Sequence, residues 1–405
     1  MKHRTGFDDI IIYFIDKYLD VIIFVFLFLI SLHIRIKYTP LVALPGWSDY
    51  STFLKPWVEE YAKLGIVKGL STEVGDYYIP YNIILAVIST TGATPVYGIS
   101  FISCLFDYVI AIALYLIMRE LRKCSPALLM LPAKYDKCLA LAIINLPFVI
   151  VDSAIWKQCD SIYSAFILLA LYFFIKERPN LTFIMIGLAF SFKFQTIFVV
   201  PFFILMYYLK RNFSLLHVLW VPGIYLLTGL PAILCGRSIT NTYGTYYRQM
   251  MSTGGETVVS FPGIWFIGFQ EKMFRHIAIL VTMLIFIAAV IFAQQYLKKK
   301  SIDTVSLLYF AAWCIMTSVE FLPGMHERYD YLAVLLISFL AITGKKSLII
   351  PAIVMNLCSN FSYARLLTQT NEQFYPLAAL FYFAAYCFIT FDLCKSLPVH
   401  KESKK

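Results

Sequence analysis

Residues 180–209 read NLTFIMIGLAFSFKFQTIFVVPFFILMYYL, and Lys193 is the one charged residue among them. Lys176 and Arg178 precede the stretch; Lys210 and Arg211 follow it. So apolar a run belongs in hydrocarbon, where a spanning helix takes about 20 residues. Basic residues collect on the cytoplasmic side of a membrane, so the two flanks put both ends of the run on that side. The stretch is therefore expected to cross twice, as two short helices that turn at Lys193-Phe194-Gln195 on the outer side.

The same pattern extends in both directions. The chain is 60% hydrophobic and 14% charged, with a mean hydropathy of +0.74. Soluble domains carry about 25% charged residues, so this chain has too little polar surface to coat itself in water. Apolar runs recur from Asp20 to Cys394, and no polar stretch is long enough for a soluble domain. Backbone in a bilayer must satisfy its own hydrogen bonds, so the runs read as helices. The net charge of +10 points to positive cytoplasmic loops and not to nucleic acid. Nine cysteines are scattered without a CxxC or a metal-ligand spacing; they read as small apolar fillers, with a Cys159–Cys235 disulfide as the one pairing open on the outer side. The run after Asp20 lacks a small-residue cleavage site and reads as an anchor.

Basic clusters at Arg119/Arg122/Lys123, Lys134/Lys137, Lys176/Arg178, Lys210/Arg211, Lys298–Lys300, Lys345/Lys346 and the tail Lys395, Lys401, Lys404 and Lys405 fix the topology when all are cytoplasmic. The spans that satisfy them are 20–36, 97–118, 138–152, 161–176, 180–194, 196–209, 214–234, 276–297, 303–321, 330–343, 346–360 and 374–394. The expectation is thus one all-α, polytopic unit over 1–405 with about 12 transmembrane helices and both termini cytoplasmic. A first outer loop would cover 37–96 and a second large one 235–275. Ile79–Ser89 is expected as a short helix at the outer surface, because another crossing would invert the Arg119–Lys137 cluster. Arg35 and Lys37 at the outer end of the first span run against this scheme; Lys2, Arg4 and Lys17 offset them.

The polar residues of the outer side follow from this map. In the first loop, Tyr50, Phe53, Leu54, Trp57, Val58, Tyr61 and Leu64 recur at helical spacing. They predict an amphipathic helix at headgroup level, N-capped by Ser48, with Asp49 in its first turn. Asp160, Lys193, His326 and Arg328 fall on the same side. Each has an ordinary reading alone. Asp49 is a favourable charge at a helix N-terminus, and Asp160 pairs with Lys157 in a loop. Lys193 snorkels to the headgroups, Arg328 pairs with Glu327, and His326 is a loop histidine. Their convergence on one membrane face is what suggests a site.

These segments together resemble the GT-C glycosyltransferases, in particular bacterial polytopic members that use polyprenyl-phosphate sugars. The matching pieces are Asp49 in WSDYSTFLKPW, Tyr78-Ile79-Pro80-Tyr81, Trp156-Lys157-Gln158-Cys159-Asp160-Ser161-Ile162-Tyr163, Phe192-Lys193-Phe194-Gln195 and Met325-His326-Glu327-Arg328-Tyr329. They run in order from the first loop to the tenth span. Two departures stand out: Lys157 where the family often has Gly, and PGIW at Pro262 without a nearby Asn. The resemblance implies a polyprenyl-phosphate sugar donor, a glycan or lipid acceptor and an active site at the outer face of the cell membrane. It implies Asp49 as the general base and Lys193, Arg328, His326 and Arg248 as holders of the donor phosphate. Asp160, Gln158, Lys157, Gln195, Tyr78 and Glu327 would then contact substrate. A lipid phosphate leaves without a protonating acid, so inverting transfer needs one carboxylate and nearby cations. No dense carboxylate cluster calls for a metal, although Asp49 with Asp160 offers two ligands. Two rivals remain: a transporter or flippase of lipid-linked sugars, and a ligase that moves a whole glycan from a lipid diphosphate.

Overall fold

The computed structural model describes residues 6–41, 48–124, 131–252, 257–297, 302–369 and 372–397. Pro45-Gly46-Trp47 of the first-loop motif, Lys2, Arg4, Lys298–Lys300 and the tail Lys401, Lys404 and Lys405 lie outside the described residues. Among the described residues every regular element is a helix, and the one β-type contact is an isolated parallel bridge between Val258 and Met325.

Among the described residues, seven helices are long and apolar enough to cross a membrane: Gly6–Tyr38, Pro95–Cys124, Leu215–Leu234, Phe274–Leu297, Thr304–Phe321, Lys346–Thr368 and Tyr375–Ser396. The chain is a multi-pass membrane protein. The pair Ala133–Ile143 and Pro147–Trp156, bent by 55°, makes an eighth if counted as one span. Asp160–Ile175, Pro179–Phe192, Phe194–Lys210 and Tyr331–Thr343 are apolar but shorter. At 1.5 Å per residue the 14 residues of Pro179–Phe192 cover about 21 Å, less than the roughly 30 Å of a hydrocarbon core. Each of the twelve apolar segments is helical; seven have spanning length on their own. The first helix begins earlier than its apolar run, because nothing from Phe7 to Tyr38 is Gly or Pro.

The stretch 180–209 folds as two helices that break at Lys193. Its backbone is extended (φ −152°, ψ 132°), followed by a 3-10 turn over Phe194–Val199 and the helix Val200–Lys210, opened by Pro201. Thr304–Phe321 forms the centre of the bundle, with 94% of its apolar window buried; Gly6–Tyr38 and Leu215–Leu234, at 11%, lie at the periphery. Peripheral helices that are apolar all round are stable only against lipid.

The bend in the third apolar segment has a local cause. Pro147 lacks an N–H and forces Leu146 into extended backbone (ψ 140°), which ends the helix at Ile143. The carbonyl of Ile144 then has no helical donor, and Arg35 supplies one at 2.6 Å. The same guanidinium pairs with Asp107 at 2.8 Å and donates to Ser31 Oγ and Asn145 Oδ1. Arg35 is 2% exposed. A buried, paired charge costs what it does wherever it sits, so Arg35 does not count against a cytoplasmic N-terminus.

The first loop differs from its expected setting. Ser48 Oγ accepts the N–H of Ser51 at 3.0 Å, and Asp49 sits in the first turn with helical angles. A wide π-helical turn over Tyr50–Leu54 leads into Lys55–Leu64. The apolar face of Tyr50, Leu54, Val58 and Tyr61 packs on Tyr81 and Leu85 of the Ile79–Thr90 helix and on Cys159 and Ile162. Protein, not headgroups, covers it. All nine cysteines are free thiols, including buried Cys159 and half-buried Cys235.

Arg122, Lys123, Lys137 and Lys176 meet carboxylates toward the end of the bundle where Asp160–Ile175 finishes. Lys176 lies 3.6 Å and Lys123 2.9 Å from Glu120, Arg122 pairs with Asp136 at 2.5 Å, and Lys137 with Asp20 at 3.0 Å.

Candidate functional site

At the other end, helix termini and connections enclose a cavity of about 600 Å³. Asp49, Gln158, Lys193, Gln195, His326, Glu327 and Arg328 all line it. The contacts of the Asp49 carboxylate are one-sided. Trp156 Nε1 donates to Oδ2 at 3.0 Å, Gln158 Nε2 donates to the same oxygen, and Arg328 Nη1 stands 3.9 Å from it. Among the described residues no hydrogen bond is made to Oδ1. A carboxylate pinned by one oxygen keeps its other lone pairs for a proton from the cavity.

Asp160, fully buried at the start of its helix, lies behind the cavity wall. Its Oδ1 accepts from Lys193 Nζ at 2.6 Å, and Arg328 Nε is 3.6 Å from Oδ2. Arg328 also meets Glu327 Oε1 at 2.6 Å, and its guanidinium carbon sits 5.2 Å from the Trp156 ring centre. One arginine thus stands among three carboxylates. Burial pushes the Glu327 carboxyl up, but Arg328, His326 and Ser260 outweigh it and hold the acid well below the usual range. Glu327 is therefore an ionised anchor for Arg328.

The loop that carries His326, Glu327 and Arg328 is clamped from several sides. Met325 O accepts from the N–H groups of Ser260 and Phe261 at 3.2 and 3.1 Å. Ser260 Oγ donates to Glu327 Oε2, and the Tyr375 hydroxyl donates to Ser260 O. Glu320 Oε1 accepts the N–H of Ile264 at 3.0 Å, which anchors the rest of the covering segment.

Asp49 and Asp160 do not fit a divalent metal. Each carboxylate is engaged by protein donors, and a guanidinium stands between them where a bridging cation would sit. Among the described residues no group of three or more His, Cys, Asp or Glu is placed to hold a metal ion.

Three expected contact residues point elsewhere. Tyr78 is fully buried; its hydroxyl donates to Tyr225 O at 2.5 Å and its ring stacks on Tyr225 at 4.1 Å. Tyr77, its neighbour, faces the cavity instead. The helix Thr245–Ser252 turns Tyr246 and Gln249 inward. It turns Arg248 toward Thr240 O, Asn241 O and Glu73, at 3.1, 2.7 and 3.6 Å. Lys157 does not pair with Asp160 and does not reach the cavity. It is fully buried in left-handed backbone (φ 63°), and its ammonium donates to Leu41 O, Ala154 O and Ile155 O at 2.8, 3.2 and 2.7 Å.

Burial lowers the Lys157 pKa to about 8 from 10.5. Between these values the unfolded chain holds a proton that the folded chain has released, so stability rises with pH across that window. Thermal unfolding in detergent should show wild type gaining on Lys157→Met between about pH 8 and pH 10; a difference that stays flat with pH refutes this.

Several lining residues escaped the sequence reading. Arg365 ends the Lys346–Thr368 segment and lies 4.2 Å from the Tyr375 ring centre. Its one signal was a basic residue just past the end of an expected span. Trp57 and Phe53, read as membrane anchors, line the cavity with Tyr77.

No protein-family model matches this chain, and no curated protein matches it in sequence.

Proposed function

We propose that the chain is a GT-C-like glycosyltransferase of the cell membrane with twelve crossings. It moves a sugar from a polyprenyl-phosphate donor to a hydroxyl of a glycan or lipid acceptor at the outer face, with both termini in the cytoplasm. The observation that carries the reading is the Asp49 carboxylate, fixed through Oδ2 and facing a cavity whose wall presents Arg328, Lys193 and His326. In this reaction Asp49 Oδ1 takes the proton of the acceptor hydroxyl. The hydroxyl oxygen bonds to the anomeric carbon, and the bond from that carbon to the phosphate oxygen breaks with its electron pair on the phosphate. Arg328 and Lys193 stabilise the leaving lipid phosphate by charge-assisted hydrogen bonds. Attack opposite the leaving group inverts the anomeric centre. The wall of Trp57, Tyr77 and Tyr246 suits the apolar surfaces of the substrates.

The test is incubation of the purified protein with a panel of polyprenyl-phosphate sugars and release of polyprenyl phosphate as the readout. Release of a polyprenyl diphosphate from an oligosaccharide donor instead identifies a ligase, and movement of intact donor across a vesicle without transfer identifies a transporter. Arg328→Ala is expected to weaken donor binding by about 1–3 kcal/mol, the worth of a charge-assisted hydrogen bond and its desolvated partner. A normal donor titration curve in that variant removes Arg328 from the phosphate subsite.

A further inference from the structure

Lys157 occupies an unusual place. Its ammonium is fully buried and meets no carboxylate among the described residues. Its three hydrogen-bond acceptors belong to two chain segments. Leu41 O lies just past the end of the first helix; Ala154 O and Ile155 O belong to the last turn of the π-helix Val151–Trp156. The ring of Tyr50, next to Asp49 in the chain, lies 5.6 Å from the same nitrogen. The groups facing the ammonium are thus the Leu41 carbonyl, the Tyr50 ring, the two carbonyls of its own turn and the Cys104 thiol of the Pro95–Cys124 helix.

The residues on either side of Lys157 are the two donors to Asp49. Trp156 and Gln158 both reach Oδ2. The left-handed backbone at Lys157 reverses the chain between them, and this reversal aims both side chains at one oxygen while the lysine points the other way. The turn is fixed further by Gln158 N–H on Asp152 O at 3.0 Å and by Ser103 Oγ on Gln158 O at 2.7 Å.

We propose that Lys157 is a positioning residue: its buried ammonium ties Leu41 and the Tyr50 ring to the Trp156–Gln158 turn and so decides which oxygen of Asp49 is left to act as the base. The inference rests on Asp49 being the base of the proposed transfer. The carbonyls of a wide terminal turn lack helical donors, and a desolvated ammonium with three donors answers them in a way no neutral aliphatic side chain can. When the ammonium is lost, the turn relaxes and the N–H bonds to Asp49 Oδ2 lengthen. Oδ2 is then no longer held by two donors, and the free oxygen loses its fixed direction toward the cavity.

The test compares wild type with Lys157→Met, Lys157→Gly and Gln158→Leu in the full-length protein. Lys157→Gly accepts the left-handed backbone without strain, and Gln158→Leu reaches Asp49 without touching the lysine, so the comparison survives if the methionine variant fails to fold. The first readout is the rate of carbodiimide labelling of Asp49 at one fixed pH, resolved by peptide mass spectrometry. That rate is expected to rise severalfold in all three variants, because a carboxylate released from its Trp156 and Gln158 donors is open to the reagent. The second is transfer with a polyprenyl-phosphate sugar: turnover falls by tenfold or more, about what a displaced reacting group costs, with donor affinity within about twofold of wild type. Unchanged labelling and turnover in Lys157→Gly, even with lowered thermal stability, overturn the proposal and leave Lys157 a packing residue. Should wild type transfer no sugar, the proposed function fails on that arm, while the labelling rates still decide whether Lys157 fixes the Asp49 carboxylate.

Discussion

Asp49→Asn is expected to cut turnover by about a hundredfold or more and to leave donor affinity nearly unchanged. Asparagine keeps the shape of the side chain and an oxygen for the Trp156 and Gln158 donors. What changes is the atom facing the cavity: an amide cannot take a proton from the acceptor hydroxyl. In the proposed transfer the donor phosphate is held by Arg328 and Lys193 and does not depend on that proton. Single-turnover transfer and donor titration on the same preparation separate the two effects. Full activity in Asp49→Asn, or a loss of donor affinity that accounts for the whole fall in rate, removes Asp49 from the role of base. Asp160→Asn is the necessary companion, because Asp160 also stands near Arg328. Its carboxylate is buried behind Lys193 and does not line the cavity, so its effect on rate should come through disordered cations and appear in donor affinity.

The second large effect concerns stability. Lys193 and Asp160 meet at 2.6 Å with side chains 7% and 0% exposed. Removing one partner of such a pair leaves the other buried and uncompensated, at a cost of about 3–5 kcal/mol. Asp160→Asn strands the ammonium of Lys193. Lys193→Met leaves the carboxylate with Arg328 at 3.6 Å. The double variant removes both charges, and most of the lost stability is expected to return, because desolvation of two ions is costly even when they pair. Donor binding should not return with it, since the cation is gone. Unfolding of the two single variants and the double variant in detergent gives the coupling energy. Additive losses would mean that the two residues do not act as a pair.

The apolar segments and their ends were legible because hydrocarbon allows one backbone solution, and Lys193 announced its turn as the lone charge in a long apolar run. Crossing by each segment was harder to read. The sequence marks where a helix is apolar, whereas Pro147 and the extended backbone at Lys193 decide how far each piece reaches. The grouping of the polar residues was also readable: Asp49, Lys193, His326 and Arg328, placed together by the charge pattern, line one cavity. Direction within that group was not. Lys157 follows Trp156 by one residue, and a positive φ turns it away from its neighbours; Tyr78 follows Tyr77 and faces a different partner. Arg35 looked like a charge on the wrong side until Asp107, 72 residues away, met it. Such pairings depend on packing between helices, which no local spacing encodes.

The clamp over His326, Glu327 and Arg328 has a consequence for how a substrate arrives. Met325 is tied to Ser260 and Phe261, Glu327 to Ser260, and Ser260 to Tyr375. The ordering of these side chains is completed when the chain folds, not when a ligand lands. A phosphate group that reaches the cavity meets a rigid receptor, so little conformational freedom is left to be lost on capture. Encounter would then be governed by the two-dimensional diffusion of a lipid within its leaflet. Discrimination between headgroups would fall to shape: a group that must displace the Arg328 loop has to break the Ser260 contacts before it can be seated.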